Sequence, residues 1–434
     1  MKSFKYVIIG NSVAGINAAE AIRSIDKKGS LCIISDEKYH IYSRPLISYY
    51  LAGKINKERM YYRDMDFYKE NNIDLMLSKK TTSIDASKKK NIGLADGEKI
   101  VFEKLLVATG GKPIIPEGFK TGNGVFTFIK WDDADGIKEY IKKKNVKNVV
   151  VVGAGLIGLK ATEGLMGLGV GITIVELADT ILSATFDKEA SLIIEKALSK
   201  SGCKIKTGTT VKEIVYKKSV SKNEKTIEKV ILKNKEKIPC QLVILAIGVT
   251  PNTELAKNTQ IKVNRGIVVD DKMQTTVKDI FAAGDVVEGY DFLLGVSRPI
   301  AIWPNASKQG KVAGYNMAGS KKTYEGSFAM NSVELGGIPT ISMGITAPVG
   351  PDFEVLSELN KKEATYKKII IKDSKIVGAI FVNKIDRAGI FTGLIKNKVD
   401  TKSFKEKLLN DDFGLISLPK EYRKHIISGP GIEI

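Results

Sequence analysis

Apolar and polar positions near the start of the chain follow a pattern that changes from strand to helix and back to strand. The apolar run 4–9 predicts a strand, the helical spacing over 16–25 predicts a helix, and the run 31–34 predicts a second strand. The turn after the first strand reads Gly10-Asn11-Ser12-Val13-Ala14-Gly15, and Ser35-Asp36-Glu37 follows the second strand. This order of strand, glycine turn, helix, strand and acid is typical of a dinucleotide-binding β-α-β unit.

A second unit with the same pattern lies further along the chain. Val149–Val152 is a continuous β-branched run, which is typical of a strand buried on both faces. Gly153-Ala154-Gly155-Leu156-Ile157-Gly158 contains all three glycines of the motif, whereas Ser12 stands at the second glycine of the first unit. A helical pattern follows, and then a strand over 172–175 that ends at Glu176. The pattern therefore predicts two dinucleotide sites.

Each residue type in these units has a physical role in binding a dinucleotide. The first glycine permits a tight turn, the amides at the helix N-terminus face the pyrophosphate, and the acid accepts hydrogen bonds from a ribose. Glu176 would bind a ribose 2′-hydroxyl and repel a 2′-phosphate, and no arginine stands at residues 177–180. The second unit is therefore predicted to favour NADH over NADPH.

Three further apolar runs end in turns that accompany the two units. One ends in Ala108-Thr109-Gly110, one at Gly248 and one at Gly284-Asp285. With these motifs in this order, the chain resembles the FAD- and NAD(P)-dependent pyridine nucleotide–disulfide oxidoreductases, in the branch that lacks redox cysteines. That branch includes rubredoxin reductases, ferredoxin-reductase-like proteins and the flavin/NADH part of assimilatory nitrite reductases.

The resemblance implies an α/β fold with two Rossmann-like dinucleotide-binding domains and a small α+β C-terminal interface domain. The FAD-binding domain would comprise residues 1–112 and 244–320, with the NAD-binding domain inserted at 113–243 and the interface domain at 321–434. A helix that begins near Trp303 would direct its N-terminus at the flavin, where a positive dipole end stabilises negative charge.

The resemblance also assigns the cofactor ligands. The residues that would bind FAD or line its site are Gly10, Ser12, Ala14, Gly15, Asp36, Glu37, Arg44, Pro45, Ala108, Thr109, Gly110, Gly248, Gly284 and Asp285. Those that would bind NADH are Gly153, Gly155, Leu156, Ile157, Gly158 and Glu176. Glu37 or Asp36 would bind the adenosine ribose and Asp285 the ribitol. Arg44 would contact the FAD pyrophosphate or form an ordinary surface ion pair.

Cysteine and histidine usage excludes several kinds of chemistry. Cys32, Cys203 and Cys240 lie far apart, and the chain has two histidines. A disulfide scaffold, a zinc ribbon, a cysteine-ligated cluster and a histidine metal site are therefore not expected, and the cysteines are predicted to be buried core residues. The resemblance agrees, because the first helix lacks the CxxxxC of disulfide reductases. The single cysteine of NADH peroxidases, NADH oxidases and coenzyme A-disulfide reductases is likewise missing from 44–51.

Two positions leave alternatives open. Lys160 stands where many relatives have a glutamate near the nicotinamide, so it is either an exposed helix lysine or part of the site, with Glu163 as a substitute contact. Trp303 either lies near the flavin ring or is a core aromatic at a helix start. Neither residue is assigned a catalytic role, because hydride transfer needs no acid–base side chain.

The formal net charge of +19 changes the expected partners. Only eight of the 68 basic residues are arginine, which disfavours nucleic acid, since base and phosphate recognition favours arginine. The lysines form either a merely solvated surface or a docking face for an acidic protein. No apolar run reaches the length of a membrane span and no targeting segment is visible, so the expected location is cytoplasmic.

Together these features predict an FAD-dependent NADH:acceptor oxidoreductase. Its acceptor would be an iron–sulfur protein such as rubredoxin or ferredoxin. One alternative is an FAD/NADH-binding subunit of a larger redox complex whose other subunits hold metal centres. A further alternative is a non-catalytic module that senses redox state through bound flavin and NADH. The chain could form homo-oligomers or hetero-complexes.

Overall fold

The computed structural model describes residues 1–87, 90–217, 225–420 and 422–423. The chain divides into two compact units. The first comprises residues 1–146, 164–169 and 244–328, and the second comprises 147–163, 170–243 and 329–434. The end of the predicted interface domain, 424–434, lies outside the described residues. The three predicted domains are drawn differently from these two units, and their bounds stay predictions.

Eight helices and twenty-five strands are described. The strands are β1 (Lys2–Ile9), β2 (Leu31–Ile34), β3 (Ile73–Met76), β4 (Thr81–Asp85), β5 (Asn91–Leu94), β6 (Lys99–Val107), β7 (Gly111–Pro113), β8 (Val125–Phe126), β9 (Asn148–Val152), β10 (Gly171–Val175), β11 (Lys204–Lys206), β12 (Val211–Tyr216), β13 (Ile227–Leu232), β14 (Lys237–Pro239), β15 (Leu242–Leu245), β16 (Val249–Pro251), β17 (Ile267–Val268), β18 (Ile280–Ala282), β19 (Val287–Asp291), β20 (Val296–Arg298), β21 (Met330–Leu335), β22 (Ile338–Gly344), β23 (Glu354–Asn360), β24 (Thr365–Lys372) and β25 (Lys375–Val382). The helices are α1 (Val13–Ile25), α2 (Ile47–Leu51), α3 (Phe67–Glu70), α4 (Trp131–Lys144), α5 (Leu156–Met166), α6 (Lys188–Lys200), α7 (Trp303–Met317) and α8 (Ala388–Lys396).

The main sheet of the first unit has the order β3-β2-β1-β6-β5-β4, and β18 also pairs with β6. Strand β6 is long enough to pair antiparallel with β5 at its start and parallel with β18 along Leu105–Val107. Strands β1, β2, β3, β6 and β18 therefore form a parallel sheet whose carboxyl ends share one edge. The predicted strands in this region are confirmed.

The two faces of β1 supply two hydrophobic cores, because successive side chains of a strand point to opposite faces. Tyr6 and Ile8 pack with α1 and α7, whereas Val7 and Ile9 pack with residues from β5, β6 and β18. Helices α1 and α7 approach closely through small residues. A Cβ on Gly310 would lie 2.2 Å from the carbonyl oxygen of Ala14, and one on Gly314 would lie 2.3 Å from that of Ala18.

The second unit contains parallel strands β9, β10 and β11, a three-stranded sheet β12-β13-β14, and a five-stranded antiparallel sheet β21-β22-β25-β24-β23. Asp187, the N-cap of α6, connects this helix to strand β24 of the antiparallel sheet. Its carboxylate accepts hydrogen bonds from the Tyr366 hydroxyl and the Lys368 ammonium, both at 2.8 Å. The predicted fold class, α/β with a small C-terminal α+β part, is confirmed.

Among the described residues, no helix combines the length and the apolar character that a membrane span needs.

Candidate functional site

The first glycine turn is packed directly onto the end of β6. Gly10 has φ +119°, and a Cβ at this position would lie 2.1 Å from the carbonyl oxygen of Ala108. A Cβ on Gly15 would lie 2.0 Å from the carbonyl oxygen of Gly10. Backbone contact therefore requires glycine at both positions, and the turn lies against the first residue of the predicted Ala108-Thr109-Gly110 motif.

Helix α1 presents its N-terminus at this turn. Ser12 precedes the helix in an extended conformation, and its side chain makes no capping hydrogen bond. The first amides of an α-helix have no partner within the helix, and this end of the helix dipole is positive. The arrangement fits an anionic pyrophosphate, as predicted for this turn.

Gly284 and Asp285 lie beside the start of α1. Gly284 has φ +86°, and a Cβ there would lie 3.2 Å from the Cβ of Ala14. Its amide donates to Gln309 Oε1 at 2.9 Å, which fixes the turn after β18. The structure thus brings the predicted ribitol ligand next to the predicted pyrophosphate site.

Asp285 is a carboxylate that the surrounding protein leaves without a hydrogen-bond donor among the described residues. Burial raises the pKa of its carboxyl, and the nearby charge of Arg44 acts in the opposite direction. A desolvated carboxylate is costly unless it accepts hydrogen bonds. Hydroxyl groups of a ligand such as ribitol would supply them, so this residue fits the FAD chain assigned to it.

Glu37 and Arg44, both predicted FAD ligands, contact each other. The Arg44 guanidinium donates to Glu37 Oε1, and its other terminal nitrogen donates to the Ile129 carbonyl at 2.8 Å. Arg44 therefore forms the ion pair that the sequence left open, but with a carboxylate that is only 8% exposed. Asp36 is exposed and pairs with Lys130 at 3.1 Å. The contact of Arg44 with a pyrophosphate stays a prediction.

Tyr42, which lies two residues before the predicted ligand Arg44, also belongs to this group. Its hydroxyl donates to Glu37 Oε2 at 2.7 Å. The same hydroxyl accepts the backbone amide of Trp131 at 3.2 Å. Pro45 follows in a short 3₁₀ turn over Arg44–Leu46. An aromatic residue between two predicted ligands was the available signal for Tyr42, but nothing in the sequence pattern pointed to Trp131.

Thr109 and Gly110 lie just before one strand of a two-stranded ribbon, and Gly248 lies just before the other strand, at the opposite end of the ribbon. Strands β7 and β16 pair antiparallel, and the Thr109 hydroxyl donates to the Asn252 carbonyl at 2.8 Å. The Asn252 amide donates to the Gly110 carbonyl at 2.8 Å, and Gly248 has φ +120°. The structure therefore brings together motifs that lie far apart in the chain.

In the second glycine turn, the acid that follows the strand, Glu176, accepts a hydrogen bond from the backbone of the turn itself. Glu176 Oε2 accepts the amide of Ala154 at 2.6 Å, and Oε1 accepts the amide of Ala178 at 2.9 Å. Gly153 has φ +101°, so the turn needs glycine there on backbone grounds. Leu156, Ile157 and Gly158 form the first turn of α5, directly after the loop.

Gly155 gives the clearest fit to a nucleotide. A Cβ added at Gly155 would meet nothing within 4 Å among the described residues packed around it in its own unit, and the φ of Gly155 is not positive. Protein packing therefore does not require glycine at this position. Close approach of a pyrophosphate to the backbone does require it, so the open space fits the predicted NADH.

Lys160 is not a freely exposed helix lysine. It pairs with the carboxylate of Glu163, and both side chains are less than one fifth exposed. The other oxygen of Glu163 accepts the Gly336 amide at 2.9 Å, which ties α5 to the turn between β21 and β22. Glu163 is therefore engaged with two protein groups, and its role as a substitute nicotinamide contact stays a prediction.

Trp303 opens α7, as the sequence predicted, and Pro304 occupies the first turn of the helix. The indole is partly buried and meets the edge of the Tyr62 ring at a centroid distance of 5.5 Å. The Arg63 guanidinium lies 4.1 Å from the centroid of that same tyrosine ring. Trp303 packs against the hydrophobic core around α1 and α7, and its contact with the flavin stays a prediction.

All three cysteines are buried and free, as predicted. Burial raises the pKa of Cys32 and Cys240 to about 12, and it also raises the pKa of Cys203. Since the thiolate is the reactive form of cysteine, none of these side chains is suited to disulfide exchange or peroxide reduction.

We expect the native protein to react with no equivalent of Ellman's reagent near pH 8, because each thiol is buried and protonated there. After denaturation the same assay should count three thiols. Rapid reaction of one thiol in the native protein would contradict this account and would restore a thiol-based mechanism.

Comparison with known proteins identifies the family. The sequence-family model of the pyridine nucleotide-disulphide oxidoreductases matches residues 4–310. The family model of the rubredoxin NAD+ reductase C-terminal domain matches residues 330–399. The chain is 33% identical over 411 residues to the epsilon subunit of NADH-dependent phenylglyoxylate dehydrogenase from Aromatoleum evansii, covering 93% of this chain and 94% of that protein.

Two further similarities agree. The chain is 31% identical over 413 residues to the NADH-rubredoxin oxidoreductase of Clostridium acetobutylicum, covering 93% of this chain and 97% of that protein. The solved structure of an NAD-dependent persulfide reductase from A. fulgidus superposes with a TM-score of 0.83 at 26% identity, covering 92% of this chain and 78% of that one. The chain therefore belongs to the pyridine nucleotide–disulphide oxidoreductase family, as an NADH-dependent oxidoreductase with FAD and NADH as its cofactors.

Proposed function

We propose that the chain passes electrons from NADH to an external acceptor protein. The observation that carries the proposal is the combination of two separate nucleotide-binding turns with three cysteines that are all buried. FAD, when bound, accepts two electrons as a hydride and releases them singly or in pairs. With no accessible thiol to receive them, the electrons leave for a second molecule.

On the FAD side, backbone amides bind the negatively charged part of the cofactor and carboxylates bind its hydroxyl groups. The amides at the start of α1, after Ser12, bind the pyrophosphate, and Gly10 and Gly15 let the turn approach it. Glu37 accepts hydrogen bonds from the adenosine ribose, and Asp285 accepts them from the ribitol. The N-terminus of α7 supplies a positive dipole end that stabilises negative charge in front of it.

On the NADH side, the loop before α5 binds the second pyrophosphate. Gly155 leaves room for it, and the amides of Leu156 and Ile157 face it at the helix N-terminus. Glu176 accepts a hydrogen bond from the ribose 2′-hydroxyl while it holds the loop through the Ala154 amide. Its negative charge repels a 2′-phosphate, which supports a preference for NADH over NADPH.

Replacing Glu176 with alanine tests this preference. We expect the kcat/KM for NADH to fall about tenfold or more, because a charge-assisted hydrogen bond is lost. The value for NADPH should fall less or rise, since the repulsion is also removed. Asp179→Ala, which removes the same charge from an exposed neighbour, is the matched control and should leave the ratio of the two values unchanged. An unchanged ratio in Glu176→Ala would contradict the assignment.

We further propose that the acceptor is an acidic iron–sulfur protein of the rubredoxin or ferredoxin type. The net charge of +19 would attract such a partner, since complementary charge raises association rates. The similarity to the NADH-rubredoxin oxidoreductase supports the same class of acceptor. A cytoplasmic location fits this function, because NADH is supplied there.

The salt dependence of turnover tests the acceptor class. With NADH and rubredoxin, we expect the kcat/KM for rubredoxin to fall about tenfold as salt rises to ~0.5 M, because exposed charges are screened. With menadione, an uncharged quinone acceptor, the rate should change little over the same range. Equal responses of the two acceptors would contradict electrostatic docking of an acidic protein.

A second candidate is favoured by one observation. The relative from Aromatoleum evansii, which matches this chain over almost its whole length, is a subunit of a larger dehydrogenase. This chain could likewise be the NADH-oxidising subunit of a complex whose other subunits carry metal centres. Purification from the native source decides between the candidates, because stoichiometric partner subunits would identify a complex and a lone chain would support the free reductase.

A further inference from the structure

We infer that Tyr42 is a positioning residue that fixes the Glu37 carboxylate for the adenosine ribose of FAD. The inference rests on the proposed function, in which Glu37 binds that ribose. It adds a residue that acts through Glu37, together with the backbone at the start of α4.

Each oxygen of the Glu37 carboxylate has its own donor. Tyr42 donates to Oε2 at 2.7 Å, and Arg44 donates to Oε1. Lys130 is more distant, with its ammonium 3.8 Å from Oε1. Arg44 alone would hold one edge of the carboxylate, whereas donors on both oxygens fix its plane. A carboxylate has about four lone-pair sites, so two of them stay available for ribose hydroxyls in fixed directions.

The direction of the Tyr42 proton is itself determined by a second hydrogen bond. The hydroxyl oxygen accepts the backbone amide of Trp131, so its single hydrogen is left to point at Glu37. Burial raises the pKa of the Tyr42 phenol far above physiological pH, and it is therefore a hydrogen-bond donor throughout that range. This arrangement gives Glu37 a second, neutral donor that adds no further positive charge beside the Arg44 guanidinium.

The Tyr42 ring has little freedom to move away. Trp131 is 1% exposed, and the Tyr42 ring meets it edge-on at a centroid distance of 5.4 Å. Tyr39 stacks on the indole at 4.6 Å, and Tyr50 meets its edge at 5.6 Å. Close packing of these rings holds the phenol in place, as a ligand-orienting group requires.

The first test compares two phenylalanine variants of this cluster. Tyr42→Phe removes the hydroxyl that contacts Glu37, whereas Tyr50→Phe removes one that donates to Asp135 at 2.6 Å, and both keep a ring against Trp131. Flavin binding to the full chain would be measured by fluorescence titration of the apoprotein. We expect Tyr42→Phe to raise the Kd of FAD about tenfold and Tyr50→Phe to leave it unchanged.

FMN is the matched probe, because it lacks the adenosine ribose. Tyr42→Phe should leave the Kd of FMN unchanged while it weakens FAD. Equal weakening of FMN and FAD would overturn the inference, because the hydroxyl would then support the fold of the site and not the ribose contact. A Kd for FAD within twofold of that of Tyr50→Phe would also overturn it.

A double-mutant cycle with Glu37→Ala provides the second test. If Tyr42 acts through Glu37, adding Tyr42→Phe to Glu37→Ala causes no further loss of FAD affinity. An undiminished tenfold loss in the Glu37→Ala background would overturn the inference. Failure of the unmodified chain to bind FAD would instead contradict the proposed function, so the two failures are distinguishable.

Discussion

Replacing Gly10 with alanine is expected to destabilise the first unit by about 4 kcal/mol and to yield protein without bound flavin. The added Cβ would lie 2.1 Å from the Ala108 carbonyl oxygen, and φ +119° is a conformation that alanine avoids. Backbone hydrogen bonds prevent the turn from moving to relieve this overlap. The Gly10 amide donates to the Ile34 carbonyl, and the Ala108 amide donates to the Ile9 carbonyl, both at 2.8 Å. A shift large enough to relieve the overlap would therefore break hydrogen bonds of the parallel sheet at the proposed FAD site.

Gly53→Ala is the matched control for this variant. Gly53 also has a positive φ, at +73°, but a Cβ there would meet nothing within 4 Å. We expect it to cost only the conformational penalty of about 1 kcal/mol and to retain FAD. Thermal unfolding and the flavin content of purified protein measure both effects. A Gly10→Ala variant that matches Gly53→Ala in both measurements would contradict the close packing described for the first turn.

Replacing Gly155 with valine is expected to leave the stability of the chain and its FAD content almost unchanged but to slow the reaction with NADH. The side chain would enter open space, so the free energy of unfolding should change by about 0.5 kcal/mol or less and FAD should remain bound. The same side chain would occupy the position that we propose for the NADH pyrophosphate. We therefore expect the rate of flavin reduction by NADH to fall about 100-fold or more, which corresponds to roughly 2.7 kcal/mol.

Dithionite and a second glycine provide the controls for Gly155→Val. Dithionite should reduce the flavin of the variant as fast as that of the unmodified protein, since it does not use the nucleotide site. Gly389→Val also places a side chain in open space, on the exposed start of α8, and should leave NADH reduction unchanged. Reduction of Gly155→Val by NADH at the normal rate would contradict the assignment of the loop before α5 to the NADH site.

The backbone parts of this site were predictable from sequence because they depend on local patterns. The apolar runs that became β1, β2, β9 and β10 are continuous, and a glycine turn between a strand and a helix has few other uses. The acid after the last strand of each unit could be located for the same reason. The approach of Gly10 to Ala108 depends instead on the parallel pairing of β1 with β6, which the local patterns did not predict.

The side-chain contacts of the site were not predictable in this way. The hydrogen bonds that hold Glu37 require Tyr42 to meet Trp131, which lies 89 residues away along the chain. Lys160 pairs with Glu163, and Glu163 accepts the amide of Gly336. The spacing of residues in α5 predicts neither contact. Such contacts are decided by tertiary packing, so their donors and acceptors cannot be read from spacing.

The proposed function predicts that NADH alone is sufficient to reduce the flavin of this chain. The direct measurement is a stopped-flow mixing of the FAD-loaded full chain with NADH under anaerobic conditions, monitored by the visible absorbance of the oxidised flavin. We expect that absorbance to disappear as NADH is added in stoichiometric amounts and to return when rubredoxin is supplied. A flavin that stays oxidised in excess NADH, yet is reduced by dithionite, would contradict the account.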